Sequence, residues 1–242
     1  MEKNYVKDDL KKKYDKEAEI YDKDYSTLAG NYFMWRKIKT ALFLGSFKKG
    51  SRILEVGCAN GPYTFELGKL GFEMTGLDLS PECIKYANEK AKKIGINNIK
   101  FIEGDAENLA MFSDNAFDGV VSFSCLRYVP NPQKAVNEIF RVVKKHNAVV
   151  LDFPNKRSPW FNYLKPWLMG GGHIHDHHYS TREANSFLQK AGFREIRVKR
   201  ILFTPKSINP GLLRVMKGID IIGEAPILNQ FAAIIMCTGK KP

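Results

Sequence analysis

The chain has 242 residues, 44% of them hydrophobic and 26% charged, a balance that belongs to a folded globular chain and excludes disordered or fibrous classes. Lys and Arg total 38 against 26 Asp and Glu, a formal charge of +12 that favours nucleic acid, anionic lipid or acidic small molecules as partners. The excess is dispersed over Arg36–Arg52, Arg141–Lys145 and Lys190–Arg200 with no arginine-rich run, so nucleic acid is the lesser expectation. No apolar run reaches the ~18–20 residues of a transmembrane segment. The opening MEKNYVKDDLKKK has no signal-peptide core, which leads to an expected cytoplasmic location. Cys58, Cys83, Cys125 and Cys237 are far apart and form no CxxC pair, so reduced thiols are expected rather than a zinc ribbon or disulfides.

In chain order, Val6, Leu10, Tyr14, Ala18, Tyr21 and Tyr25 recur at helical spacing, which predicts an amphipathic helix over 5–25, followed by a second helix over 31–45. Arg52–Val56 reads as a buried strand that ends in Gly57. A turn and a helix over 62–70 follow, with Pro62 at the first helical position. Phe72–Leu77 is the next strand, ending at Asp78. Ser80 caps a helix that opens at Pro81 and runs to Ile94. Strands over 98–103, 117–123 and 148–153 and a helix over 132–143 complete the alternation. Residues 154–179 break the rhythm with three prolines, two tryptophans, Gly170-Gly171-Gly172 and clustered histidines. A helix over 181–191 closed by Gly192, a strand over 193–203, a helix capped by Asn209 with Pro210, and a strand over 231–237 end the chain. The apolar helix Leu212–Ile222 is expected to pack on its own sheet rather than on a membrane or partner. Alternating strands and helices imply an α/β, doubly wound, mostly parallel seven-stranded sheet, with an N-terminal helical cap over 1–45. One domain is expected, with a core over 51–153 and a substrate-side insertion and C-terminal strands over 154–242. Ligands of such sheets sit at the carboxyl ends of the strands, where Gly57, Asp78, Asp105 and Ser124 fall.

The central motif is Glu55-Val56-Gly57-Cys58-Ala59-Asn60-Gly61. Glycine at such a turn lets the backbone approach a ligand, and the following helix offers free N–H groups. A carboxylate at Asp78 suits the two hydroxyls of a ribose, and one at Asp105, before Ala106, suits an exocyclic adenine amine. These residues resemble the class I S-adenosylmethionine-dependent methyltransferases, in particular the small-molecule branch that includes the ubiquinone and menaquinone enzymes. Phe117–Ser124 resembles the family's fourth-strand motif, and Tyr179–Phe193 its late helix. The resemblance covers about residues 51–203 and implies a Rossmann-like methyltransferase fold. It also implies S-adenosylmethionine as methyl donor and S-adenosylhomocysteine as product. Contacts to the donor would come from Glu55, Gly57, Cys58, Ala59, Gly61, Asp78, Leu79, Asp105, Ala106 and Ser124. Glu55 reads either as an ion-pair partner or as a group near the methionyl ammonium. Ala59 replaces the family's middle glycine, which a small side chain fits if its φ is negative. Arg127-Tyr128 stands where the family often has histidine. A nicotinamide site would want Gly-x-Gly-x-x-Gly, and the spacing after Gly57 does not provide it.

The segment Gly170–Tyr179 holds His173, His175, His177 and His178. The family places acceptor-binding residues there, so His173 and His175 are the leading candidates for a general base with a pKa near working pH. Alternating histidines can bind zinc, but methyl transfer from a sulfonium needs no metal and none is assigned. Trp160, Phe161, Tyr163 and Trp167 read either as a lid wall hinged at Gly170–Gly172 or as a satellite core, and Tyr14, Tyr21 and Tyr25 of the first helix read as packing residues, one of them a candidate to reach the site. The expected function is methyl transfer to a small-molecule or lipid-like acceptor by in-line displacement. An RNA methyltransferase and a non-catalytic cofactor-binding relative are the alternatives.

Overall fold

The computed structural model describes residues 2–160 and 175–242. The sheet has seven strands: β1 (Arg52–Val56), β2 (Glu73–Asp78), β3 (Ile99–Glu103), β4 (Gly119–Ser122), β5 (Ala148–Pro154), β6 (Arg194–Ile201) and β7 (Ile234–Lys240). Their spatial order is β3-β2-β1-β4-β5-β7-β6. The first five are parallel, and β7 runs antiparallel between β5 and β6. The order reverses between β1 and β4, so the loops after these strands diverge and open a crevice at their carboxyl ends.

The helices are α1 (Glu2–Glu17), α2 (Lys23–Ser26), α3 (Leu28–Gly45), α4 (Pro62–Lys69), α5 (Pro81–Ile94), α6 (Pro132–Val142), α7 (Thr181–Ala191) and α8 (Pro210–Gly223), with a short 3-10 turn at Leu228–Phe231. The Ser80 and Asn209 caps read from sequence start α5 and α8, and side-chain caps start other helices as well. Ser80 Oγ accepts from Cys83 N, Asn131 Oδ1 from Lys134 N, and Ser180 with Glu183 forms a capping box. On one face of the sheet, Val136 and Ile139 of α6 and Leu188 of α7 pack against Val149, Leu151 and Ile235. On the other, Ile38 and Leu44 of α3 and Tyr63 and Leu67 of α4 cover Ile53, Val121 and Val150. β6 is an edge strand, guarded against further pairing by Arg194, Arg197, Lys199 and Arg200.

The structure departs from the sequence-based expectations in four places. The helix expected over 5–25 breaks after Glu17, because the Ala18 carbonyl accepts from Asn60 Nδ2 instead of continuing the ladder. β4 is shorter than 117–123, since Phe117 N bonds to Val142 O rather than to a neighbouring strand. The last strand begins three residues late because 228–231 coil into the 3-10 turn. α8 does not pack flat on the sheet: among its residues only Leu213, Asp220 and Gly223 are buried, and its apolar side chains are largely exposed. None of the helices described is long and apolar enough to cross a membrane.

Candidate active site

A cleft of about 690 Å³ lies at the carboxyl ends of β1, β2 and β4. Its floor comes from strand-end loops and includes Gly57, Ala59, Asp78, Leu79, Asp105, Ala106, Ser124 and Cys125. Its roof is the N-terminal cap, through Lys7, Leu10, Lys11, Tyr14 and Tyr21. The floor is built from left-handed backbone: φ is +77° at Gly57, +48° at Ala59 and +59° at Ser124. Gly57 is obligatory, because a Cβ there would lie 2.2 Å from Cys125 Cβ. The positive φ of Ala59 corrects the expectation of a negative one. The small side chain is tolerated at the cost of left-handed strain, about 1–2 kcal/mol for a residue with a Cβ.

Asp78 organises this floor. Its Oδ2 accepts from Ala59 N at 2.7 Å and its Oδ1 from Ser80 N at 3.0 Å, which ties the β1 loop to the β2 loop. Burial raises the Asp78 pKa, and the Ser80, Ala59 and Leu79 amides oppose it. Each carboxylate oxygen has a second lone pair, so Asp78 keeps acceptor capacity for hydroxyl groups in the cleft. Asp105 Oδ1 accepts from Glu107 N at 2.8 Å, while Oδ2 takes Lys7 Nζ at 2.6 Å. Lys7 also reaches Glu107 Oε2 at 3.1 Å, so an ion-pair cluster latches α1 over this end of the cleft. Asp15 accepts from Ser80 Oγ at 2.5 Å and supplies a second latch.

A second, larger cavity of about 1450 Å³ adjoins the first. The two share Tyr14, Tyr21, Ser124 and Tyr128. The second is otherwise lined by Ile20, Tyr25, Phe33, Trp160, Phe203, Pro205 and Ile234, with Lys13, Arg127 and Lys206 among its polar groups. Beneath the shared wall lies a buried polar triad. Lys37 of α3 is 0% exposed and Asp152 of β5 is 1% exposed, and their charged atoms are 2.5 Å apart. Lys37 Nζ donates to Ser124 Oγ at 2.9 Å, and Asp152 Oδ1 accepts from Ser124 N at 2.6 Å. The Phe33, Tyr63 and Phe123 rings lie within 5.2–5.5 Å of the ammonium. Burial lowers the Lys37 pKa, and Asp152 works against that shift.

A family model for the methyltransferase domain matches residues 47–192, more than half of the chain. The chain belongs to the S-adenosylmethionine-dependent methyltransferases. It is 30% identical over 159 residues to 2-methyl-6-phytyl-1,4-hydroquinone methyltransferase 1, chloroplastic, of Oryza sativa subsp. japonica, covering 64% of this chain and 44% of that protein. It is 33% identical over 138 residues to the demethylmenaquinone methyltransferase of Listeria welshimeri, covering 55% of this chain and 57% of that protein. The matched region thus spans about half the length of these curated relatives. Among solved structures, a complex between the Haloferax volcanii Trm112 methyltransferase activator and a methyltransferase matches with a TM-score of 0.70 at 18% identity, covering 95% of this chain and 97% of that one. At that identity the likeness is one of fold.

Within this methyltransferase, seven of the ten residues assigned to the donor from sequence line the first cleft, and Glu55, Cys58 and Gly61 do not. Glu55 is fully buried behind the β1 loop, hydrogen-bonded by Thr64 Oγ1 on one oxygen and, among the described residues, without a hydrogen-bond partner on the other. Burial pushes its carboxyl up to about 8, against the Thr64 hydrogen bond and Lys37. Cys58 points into the protein beside Phe65 and Phe101, and Gly61 turns the chain into α4 with φ +88°. His173, Phe161, Tyr163, Trp167 and Gly170–Gly172 lie outside the described residues. His175 faces Asp9 Oδ2 at 3.5 Å and lines neither cavity. The reason is local: Arg127 Nε bonds Asp176 Oδ1 at 2.5 Å, and His177 N bonds the Arg127 carbonyl at 3.0 Å, which pins this segment beside the cleft. Burial alone would raise the Asp176 pKa, but hydrogen bonds from His178 and Arg127 hold it well below the usual carboxylate range. The Arg127-Tyr128 departure therefore has a structural use, since Arg127 anchors the loop while Tyr128 stands between the cavities. No cluster of three or more His, Cys, Asp or Glu suited to a metal occurs among the described residues.

Sequence reasoning missed Lys7, Lys11, Lys37 and Asp152. Lys37 lies in a helix read only as part of the N-terminal cap, and a charged residue in an apolar stripe was the available signal. Asp152 interrupts the apolar run of β5, where a carboxylate has to find a partner.

Proposed function

We propose that this methyltransferase binds S-adenosylmethionine in the first cleft and transfers its methyl group to a small, largely apolar or lipid-like acceptor held in the second cavity. The observation that carries this reading is the shared wall of Tyr14, Tyr21, Ser124 and Tyr128, through which two ligands can meet. The donor supplies an electrophilic sulfonium methyl; an electron pair of the acceptor's nucleophilic atom forms the new bond to it as the carbon–sulfur bond breaks, leaving S-adenosylhomocysteine, and the proton displaced from the acceptor is released to solvent. The chain's part is to place and enclose. Asp78 would accept from the ribose hydroxyls, and Asp105, shared with Lys7, lies where an adenine amine would be read. The latched α1 and the tyrosine wall exclude water, so most of the acceleration comes from alignment in a dry site. Ser124 Oγ already accepts from Lys37, so its own hydroxyl hydrogen is free to turn into the junction and donate. That favours an acceptor with a carbonyl or ionised oxygen beside the methylated atom. The aromatic lining of the second cavity suits a ring, and the names of the rice and Listeria relatives support a quinone-type acceptor.

The test incubates the purified protein with methyl-labelled S-adenosylmethionine and an extract of its source cells, then separates organic-soluble, small polar, RNA and protein fractions. Label in the organic-soluble or small polar fraction is expected. Label confined to RNA would make the +12 charge the main clue and overturn the acceptor class.

A further inference from the structure

The exposed face of α8 has no covering element among the described residues, yet the helix is firmly seated. The Asp220 carboxylate accepts from Phe203 N at 2.5 Å, Thr204 N at 3.0 Å and Thr204 Oγ1 at 2.6 Å. Gly223 lies against the Phe203 ring, where a Cβ would approach to 2.4 Å. Glu224 pairs with Arg36, and Lys217 lies 4.9 Å from the Tyr32 ring. These contacts turn the apolar side chains outward. Ile221, Ile222 and Ile227 are 75%, 67% and 78% exposed, and Val215, Leu212 and Phe231 are exposed as well. Scattered apolar residues on a surface need no explanation, but this many within twenty residues mark an interaction surface.

The charge around the patch selects the partner. Between Phe203 and Phe231 the only acidic residues are Asp220 and Glu224, and both are consumed by the internal contacts above. Arg214 and Lys217 are exposed beside the isoleucines, on a chain of net charge +12. An apolar stripe flanked by cations and free of exposed carboxylates complements an anionic lipid surface, with side chains entering the acyl boundary and cations at the headgroups. The position fits this use: Phe203 and Thr204, which hold α8, also line the second cavity.

We infer that α8 and the following 3-10 turn form a docking surface for an anionic bilayer, which brings the mouth of the second cavity to the membrane. The inference rests on the proposed function only for the acceptor that a membrane would deliver. Docking itself requires no turnover, so the two can fail separately.

The full-length protein is sedimented with vesicles of phosphatidylcholine alone, or of phosphatidylcholine mixed with phosphatidylglycerol, without methyl donor. Partitioning is expected to be about tenfold or more stronger on the phosphatidylglycerol vesicles and to weaken as salt is raised. The double variant Ile221→Asp/Ile222→Asp should lose about tenfold or more of this partitioning while retaining its melting temperature and its affinity for S-adenosylhomocysteine. Both positions are exposed and away from the cleft, so folding is expected to survive. Three results would each overturn the inference: no binding to phosphatidylglycerol vesicles, binding indifferent to the double variant, or a wild-type dimer in sedimentation velocity that the double variant converts to monomer. The labelled-donor assay on soluble extract, run in parallel, reports on methyl transfer whatever the vesicles show.

Discussion

Replacing Lys37 by Met tests whether the buried triad beneath Ser124 holds the site together. Lys37 and Asp152 are 0% and 1% exposed, so Met in place of Lys leaves the Asp152 carboxylate in the interior without its ion-pair partner, holding the Ser124 amide hydrogen bond. Removing one partner of a buried ion pair costs about 3–5 kcal/mol, a large part of the 5–15 kcal/mol that stabilises a typical domain. At roughly 2–4 °C per kcal/mol for a chain of this size, the melting temperature should fall by about 10 °C. The double variant Lys37→Met/Asp152→Asn removes both charges and keeps an acceptor for Ser124 N. It should recover most of the loss, because the penalty comes from the orphaned charge rather than from the missing attraction. Urea and thermal unfolding at pH 7, followed by circular dichroism, measure both. A single variant within about 1 kcal/mol of wild type, or a double variant no better than the single, would refute the reasoning.

Asp78→Ala removes the carboxylate that ties the two loops and is proposed to accept from the ribose hydroxyls. Calorimetric affinity for S-adenosylhomocysteine should fall about 10- to 100-fold, the equivalent of losing charged hydrogen bonds worth roughly 1.5–3 kcal/mol, and unchanged affinity would remove Asp78 from the donor site. Glu55 has a folded-state pKa of about 8 against an ordinary 4.5. Between those values the folded protein holds a proton that the unfolded chain has lost, so its contribution to stability declines as pH rises through this window and levels above about 8. Glu55→Gln should therefore gain on wild type by about 2–5 kcal/mol between pH 5 and pH 8, and parallel pH profiles would disprove the raised pKa. At Ala59, with φ +48°, Ala59→Val should cost about 2 kcal/mol or more, because a β-branched side chain resists left-handed backbone. Ala59→Gly should stay within about 1 kcal/mol of wild type, since relief of strain offsets the lost methyl contact. Equal melting temperatures for the valine and glycine variants would contradict that account.

Most of the sheet was legible because its punctuation is local. Ser80-Pro81 and Asn209-Pro210 announce helix starts, and the apolar run of β1 ending in Gly57 announces a buried strand and its turn. The strand-end positions of Asp78, Asp105 and Ser124 were legible for the same reason, as the alternation fixes which residues reach the carboxyl edge. What stayed hidden depends on distant partners. Ala18 ends α1 because Asn60 takes its carbonyl, and Lys37 meets Asp152 more than a hundred residues away. His175 reads as a candidate base because the family places acceptor-binding residues in its segment. The Arg127–Asp176 pair, which pins the histidine segment beside the cleft, has no signature in either local stretch. The outward face of α8 was misread because an apolar helix ordinarily packs inward. Asp220 reverses this by anchoring the opposite side.

The most direct test of the two-cavity account measures both ligands on one variant. Phe33 lines the proposed acceptor cavity and not the first cleft, and its ring also lies 5.4 Å from the Lys37 ammonium, so Phe33→Ala changes the second cavity directly and the first only through Lys37 and Ser124. The account predicts that affinity for S-adenosylhomocysteine stays within about twofold of wild type, while transfer of labelled methyl to the organic-soluble fraction falls about tenfold or more, as expected for a lost aromatic contact. Unchanged transfer, or a loss of donor affinity equal to the loss of transfer, would contradict the assignment of separate donor and acceptor chambers.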